Sequence, residues 1–503
     1  MESRDALSRG LLDWAIKHGA RVHPSVDLFA TPETGLRGAV AKAPISANEE
    51  LLFIPNNLTV QGALSAQLNG ALGDFYRGLE QPLSSLLRLT LTLVHEMHVS
   101  GVNSHWQPYL EFLAGTVSVD LPFFWPQKSL AALRGTMPLL QLPHADSEEP
   151  QVPETFTEIF ERDVRPVMVA GSTFWPVHSQ REAHFWQCLS WVMSRAFQGG
   201  LSFACDGSCL PCLQAGLGGK EHSPFMLPLL DQLNHSSWPD KRNAKWRFLD
   251  GAFVVYAERN IASGEEVLHS YGEHGDAELL RTYGFAEGDA RGNPKNTLLL
   301  TGQEVLGGCR QALGSEPDKT RIAFLRKTGL LQPVYVVPST GELPPSLVSA
   351  IQVLLMKADE YEQFEKSTLR SESFCVRRAD FANQVAACAM LVLGTTRKRY
   401  GEEADLAECP DERRALAGKV RAGELAVLKA CQAHVIGTML PKVRRVSAKA
   451  ARKKRATGAA KKEAVQEACD STGVKRAASS SVSAGDTTRD DDAGIKKSAR
   501  TAE

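Results

Sequence analysis

Between Phe225 and Gly272 the backbone has few options. Residues 246–248 and 252–256 are short runs of aromatic and β-branched side chains. Asp250-Gly251 lies between them and favours a tight hairpin turn, because both positions accept positive φ. Upstream, the apolar run Phe225-Met-Leu-Pro-Leu-Leu230 contains a proline and reads as a buried edge segment that delivers Asp231, Asn234 and His235 to a pocket. Downstream, residues 261–268 hold a turn at Ser263-Gly264 and then a strand ending at Tyr271-Gly272, where glycine permits a conformation other residues resist. A strand-end tyrosine hydroxyl facing a polar cluster is a geometry for a reaction centre. A ring packed on the core is the structural alternative.

Helical periodicity surrounds this β-rich stretch. Residues 11–18, 84–96 and 185–197 carry apolar positions at helical spacing, and residues 26–60 read as strands separated by turns. From Ser346 the pattern turns long and helical, over 347–364, 378–393 and 411–438. With 503 residues, 43% of them hydrophobic and 23% charged, the chain can bury a large core spread over two or three domains. The polar N-terminus and the lack of an apolar run of about 18 residues argue against a signal peptide or a membrane span, and for a soluble protein of the cytoplasm, the nucleus or both.

Several short motifs occur in one order: Trp106-Gln-Pro-Tyr-Leu110, Pro122-Phe-Phe-Trp125, Leu133-Arg-Gly-Thr136, Ser194-Arg-Ala-Phe197, Asp231-x-x-Asn234-His235, Ser270-Tyr271-Gly272 and Arg281-Thr-Tyr-Gly-Phe285. Together with Pro44-Ile-Ser-Ala-Asn-Glu-Glu-Leu-Leu-Phe-Ile-Pro55 this order resembles the SET-domain protein methyltransferases of the branch typified by the Rubisco large-subunit lysine methyltransferase, over about residues 22–430. The resemblance implies an α+β architecture: a β-rich SET fold over 22–288 with a helical insert over about 84–222, and an all-α C-terminal lobe over 295–440 that binds the protein substrate. A basic tail expected to be disordered follows over 441–503.

The resemblance further implies S-adenosylmethionine as cofactor and methyl transfer to a side-chain nitrogen, most readily lysine of a non-histone protein, by a monomer. Tyr271 becomes the catalytic residue; Gly35, Leu36, Arg37, Arg195, Asn234 and His235 the cofactor contacts; Asp231 and Tyr283 the substrate contacts. Other readings stay open for each. Arg195 can pair with a buried carboxylate, Asp231 can support the turn before Asn234, Tyr283 can pack beside Phe285, and His235 can be a satisfied core imidazole. Glu33-Thr34-Gly35-Leu36-Arg37 also lacks the first glycine of the Gly-x-Gly-like element that the family places there. A histidine acceptor, or a degenerate SET-fold scaffold without turnover, are the competing functions.

The ten cysteines suggest reduced thiols. Cys205, Cys209 and Cys212 with His222 could supply four zinc ligands, but the spacing is only loosely metal-like and the resemblance implies no metal. His95-Glu96-Met97-His98 has one residue too few between its glutamate and second histidine for a zinc-protease helix, and Gly216-Leu-Gly-Gly219 has no following Lys-Ser/Thr for a phosphate loop. Residues 442–503 hold 16 Lys or Arg against 8 Asp or Glu, so the neutral total conceals a tail near +8 and a remainder near −9. Such a tail is a solubilising segment, a nuclear address or the one place for an electrostatic nucleic-acid contact.

Overall fold

In the computed structural model the turn at Asp250-Gly251 forms as the sequence demands. Strands Ala244–Leu249 and Ala252–Ala257 pair antiparallel from Ala252 opposite Leu249 to Ala257 opposite Ala244, and the two turn residues have φ of 51° and 77°. The structure describes residues 4–31, 37–62, 71–140, 156–202, 222–287, 292–366, 380–401 and 409–439. Met1–Pro441 form one compact unit.

The hairpin is half of a four-stranded sheet ordered Arg21–Val22, Glu50–Pro55, Ala252–Ala257, Ala244–Leu249. A second sheet corrects the expectation for the Phe225 run. Strand His222–Met226 lies between Val60–Gln61 and Ala196–Ser202, so Phe225 and Met226 are central and not at an edge. Pro228 falls beyond the strand and removes no ladder donor. The chain then turns sharply, with Leu229 at a φ of 73°, into the 3-10 turn Leu230–Gln232. That positive φ in a leucine with no exposed surface is strained backbone immediately before the polar cluster.

Helix Ser85–His95 starts where the Ser84 hydroxyl accepts the Leu87 amide, and Glu182–Arg195 packs against it. The second of these stops at Arg195, two residues before periodicity would end it. Phe197 is pulled into the sheet opposite Phe225, and backbone pairing there overrides the helical pattern. The expected helix over 347–364 is two, Pro345–Leu355 and Ala358–Lys366. Arg321 Nη1 donates to the carbonyls of Val353, Leu354 and Met356, which satisfies the helix end where the chain turns extended at Met356. The lobe continues through Phe381–Arg399 and Asp411–His434, and also holds an antiparallel ribbon, Thr297–Thr301 with Val334–Pro338. One face of this ribbon, Leu298, Leu300, Tyr335 and Val337, is buried in the lobe core.

Two polar junctions bind the lobe to the insert. Arg399 donates to Gly135 O at 2.9 Å, Leu299 O at 2.8 Å and both oxygens of Glu304 at 2.9 and 3.0 Å. Glu424, buried in the long helix, accepts from the Met137 amide at 2.7 Å and the Tyr400 hydroxyl at 2.6 Å. Among the described residues no helix is long and apolar enough to cross a membrane.

Candidate active site

Two short strands meet in parallel at the centre of the site: Asn234–His235 and Leu268–His269, with Asn234 opposite Leu268 and His235 opposite His269. Only two residues pair, so side chains complete the ladder. Asn243, fully buried, accepts the Leu268 amide on its Oδ1 at 2.8 Å and donates to Glu266 O at 2.8 Å and Glu265 Oε1 at 3.1 Å. It substitutes for a missing strand.

The strand stops at His269, two residues short of the expected end at Tyr271-Gly272, and past it the Tyr271 backbone amide donates to His235 Nδ1 at 2.9 Å. That amide can only donate, so Nδ1 is unprotonated and His235 carries its hydrogen on Nε2, which donates to Ser237 Oγ at 3.0 Å. Burial pushes His235 down to about 4 and His269 down to about 3, so both rings are neutral near pH 7. The Tyr271 hydroxyl donates to Leu233 O at 2.9 Å. Burial raises it to about 12, which keeps it a phenol. Around it stand His235 at 5.1 Å, His269 at 5.1 Å and Tyr283 at 4.9 Å between ring centroids, with Phe285 beyond Tyr283 at 6.3 Å.

Behind His235 lies a polar brace. Ser237 is fixed by Glu287 Oε2 on its amide at 2.7 Å and by Asn293 Nδ2 on its hydroxyl at 3.0 Å. Asp276 in turn accepts from the Glu287 amide at 3.0 Å and from Asn296 Nδ2 at 3.0 Å. Helix Asp411–His434 presses on this brace, because a Cβ at Gly423 would stand 2.3 Å from Asn296 Nδ2. The long helix can approach only where it has no side chain.

Asn234 points the other way. Its Nδ2 donates to Glu266 Oε1 at 2.7 Å and to Arg37 O at 3.1 Å, and the chain at Gly38 comes so near that a Cβ there would lie 2.5 Å from the amide nitrogen. Burial lifts the Glu266 carboxyl above its ordinary range, the Asn234 bond working against it. Beside this cradle, Arg195 Nη1 donates to Asp231 O at 2.7 Å and Oδ2 at 3.2 Å. Arg37 lies over the Phe112 ring at 4.6 Å, its basicity lowered to about 10 by burial and then by Arg195. Arg195 thus holds the buried Asp231 carboxylate with a second guanidinium, Arg37, in electrostatic reach, and the buried Nε of Arg195 has no partner among the described residues. That unpartnered guanidinium edge suits an anion.

Residues 36–272 match the family model of the SET domain. These residues are a SET domain. N-lysine methyltransferase SETD6 of Mus musculus is 25% identical over 366 residues, which cover 71% of this chain and 72% of that one. Ribosomal lysine N-methyltransferase 4 of Saccharomyces cerevisiae is 24% identical over 333 residues, 63% of this chain and 65% of the other. A solved structure of Rubisco LSMT bound to AdoMet aligns with a TM-score of 0.56 at 17% identity, covering 92% of this chain and 99% of that chain. The fold is that of Rubisco LSMT.

The fold therefore brings Arg37, Arg195, Asp231, Asn234, His235, Tyr271 and Tyr283 into one neighbourhood. Asp231, expected at the substrate, has its oxygens engaged internally by Tyr109, Arg195 and Gln232, and Arg195 takes the carboxylate alternative left open for it. Gly35 and Leu36 lie outside the described residues, as do Cys205, Cys209, Cys212 and the His222 side chain. Among the described residues no cluster of His, Cys, Asp or Glu is placed to hold a metal. Sequence reasoning missed Gly38, Asn243, Glu266 and the Asp276–Asn293–Asn296 brace. Gly38 alone left a signal, as the glycine that closes the interrupted Gly35-Leu-Arg-Gly38 element.

Proposed function

We propose that this SET-domain protein is an S-adenosylmethionine-dependent protein-lysine N-methyltransferase with Tyr271 at its reaction centre. The carrying observation is the Tyr271 hydroxyl, locked onto Leu233 O beside the neutral His235 and the braced Asn234. The cofactor fits what is free in the site. An unpartnered Arg195 Nε suits its carboxylate, and the bare backbone of Gly38 lets the Arg37–Gly38 segment lie against Asn234. In this reading Gly35 to Arg37, Arg195, Asn234 and His235 hold the cofactor, and Tyr283 lines the acceptor side.

When bound, S-adenosylmethionine supplies a methyl group on a sulfonium. The protein's own work is positioning, which can account for about 7–11 kcal/mol of a barrier between two aligned reactants. The Tyr271 O–H is committed to Leu233 O, so its oxygen faces an incoming amine as an acceptor and orients the nitrogen. Raised to about 12, it is no ready base at neutral pH. The acceptor lysine must instead arrive neutral, and aromatic walls of Tyr271, Tyr283 and Phe285 disfavour an ammonium by desolvation. His235, neutral and hydrogen-bonded at both nitrogens, takes no proton from it.

Asp231 first holds Arg195, and a direct substrate contact would need one of its present bonds to give way. The helical lobe is the proposed protein-substrate platform, and the basic tail supports nuclear entry. The test is a lysate incubated with the protein and isotopically marked cofactor, analysed by mass spectrometry for label on lysine. Tyr271→Phe should bind cofactor with unchanged affinity and lose at least about 100-fold in turnover. Label on histidine would move the acceptor assignment. Cofactor binding without label on any polypeptide would favour the scaffold.

A further inference from the structure

Tyr109, in the motif Trp106-Gln-Pro-Tyr-Leu110, has no task in the reaction as drawn. It sits in helix Gln107–Thr116 with no exposed surface, and its hydroxyl donates to Asp231 Oδ2 at 2.8 Å. The same oxygen takes Arg195 Nη1 at 3.2 Å, and Asp231 Oδ1 takes Gln232 Nε2 at 2.6 Å. An arginine next to a carboxylate ordinarily closes a two-point fork on it. Here Tyr109 and Gln232 pin the two carboxylate oxygens, Tyr109 on the same Oδ2 that Arg195 reaches, and so fix the orientation of the carboxylate. Among the described residues Arg195 meets Asp231 through Nη1, completed by Asp231 O at 2.7 Å, and its Nε stays buried and unpartnered.

We infer that Tyr109 is a positioning residue: by occupying Asp231 it keeps Arg195 from folding fully onto that carboxylate and reserves the guanidinium Nε edge for the carboxylate of the bound cofactor. The inference rests on the proposed function. Three features bear on it together. The phenol is itself buried, so it exchanges its bond for water at a cost. Arg37 brings a second guanidinium within electrostatic reach of Arg195 and Asp231, so the two arginines repel and Arg195 is not drawn further inward. Asp231 also leads within two residues to Leu233, the carbonyl that holds Tyr271, so the tether that sets the arginine lies on the segment that sets the phenol.

Tyr109→Phe deletes one oxygen and keeps the ring packing. Two probes separate positioning from general damage: S-adenosylhomocysteine, which carries the amino-acid carboxylate, and 5′-methylthioadenosine, which has the adenosine and thioether without it. The variant should bind S-adenosylhomocysteine about tenfold more weakly, with 5′-methylthioadenosine within about twofold of wild type, and should raise KM for S-adenosylmethionine while leaving kcat within about threefold. Gln232→Met, which frees the other oxygen of Asp231, should show the same selective loss and serves if Tyr109→Phe does not fold. Parallel weakening of both probes, or unchanged binding of S-adenosylhomocysteine, overturns the inference alone. Wild-type protein that binds neither probe overturns the proposed function and the inference with it.

Discussion

Replacing Gly38 by alanine sets a methyl carbon 2.5 Å from Asn234 Nδ2 and 2.7 Å from Glu266 Oε1, where ordinary contact needs about 3.4 Å. The amide must therefore retreat by about 0.9 Å, or the strand carrying Gly38 must. Gly38 is not among the glycines with positive φ, so alanine suffers no backbone strain and the effect is contact alone. A retreat of that size breaks the 2.7 Å bond to Glu266 and the 3.1 Å bond to Arg37 O. The first, to a carboxylate, is worth about 1.5–3 kcal/mol and the second about 0.5–1.5, while alanine returns roughly 0.4–1 through the unfolded chain. The fold should lose about 1–4 kcal/mol. Because Asn234 is a proposed cofactor contact, affinity for S-adenosylhomocysteine should fall at least about tenfold by titration calorimetry. Gly10→Ala is the control, since a Cβ at that exposed helical position meets nothing within 4 Å. Its stability should hold or rise. A Gly38→Ala protein that binds like wild type would refute the assignment of the Asn234 amide to cofactor recognition.

Two further outcomes concern stability. Arg399→Ala strips the bonds to Gly135 O, Leu299 O and Glu304 and leaves the Glu304 carboxylate buried without its cation, so urea unfolding should show a loss of about 3–5 kcal/mol; a change under 1 kcal/mol would mean that this junction does not hold the lobe to the insert. Acid should weaken the fold through His235 and His269. Their folded values of about 4 and about 3 lie below the ordinary 6.5, so the unfolded chain binds the extra protons. Stability contributed by the neutral rings is complete above pH 6.5 and declines as pH falls towards 4. At pH 5.5 each ring should cost about 1.4 kcal/mol, read as a falling Tm between pH 7 and 5.5 that His235→Asn reduces.

What was legible in the sequence was local. The hairpin follows from Asp250-Gly251 because turn chemistry involves adjacent residues, and the long helices follow from spacings of three and four. The pairing of Asn234-His235 with Tyr271 was legible as a motif, and the backbone joins them through one bond to His235 Nδ1. Boundaries moved where distant groups intervened: Phe225 drew Phe197 out of its helix, and Arg321 ended the helix at Leu355 before its period ran out. The partners of Tyr109, Gly38 and Asn243 were decided by tertiary structure. Tyr109 meets Asp231 from 122 residues away, and Gly38 is pressed against an asparagine nearly two hundred residues later. Periodicity and turn preference act over a few residues, whereas the partner of a buried polar group is chosen by whichever element the packed core carries to it.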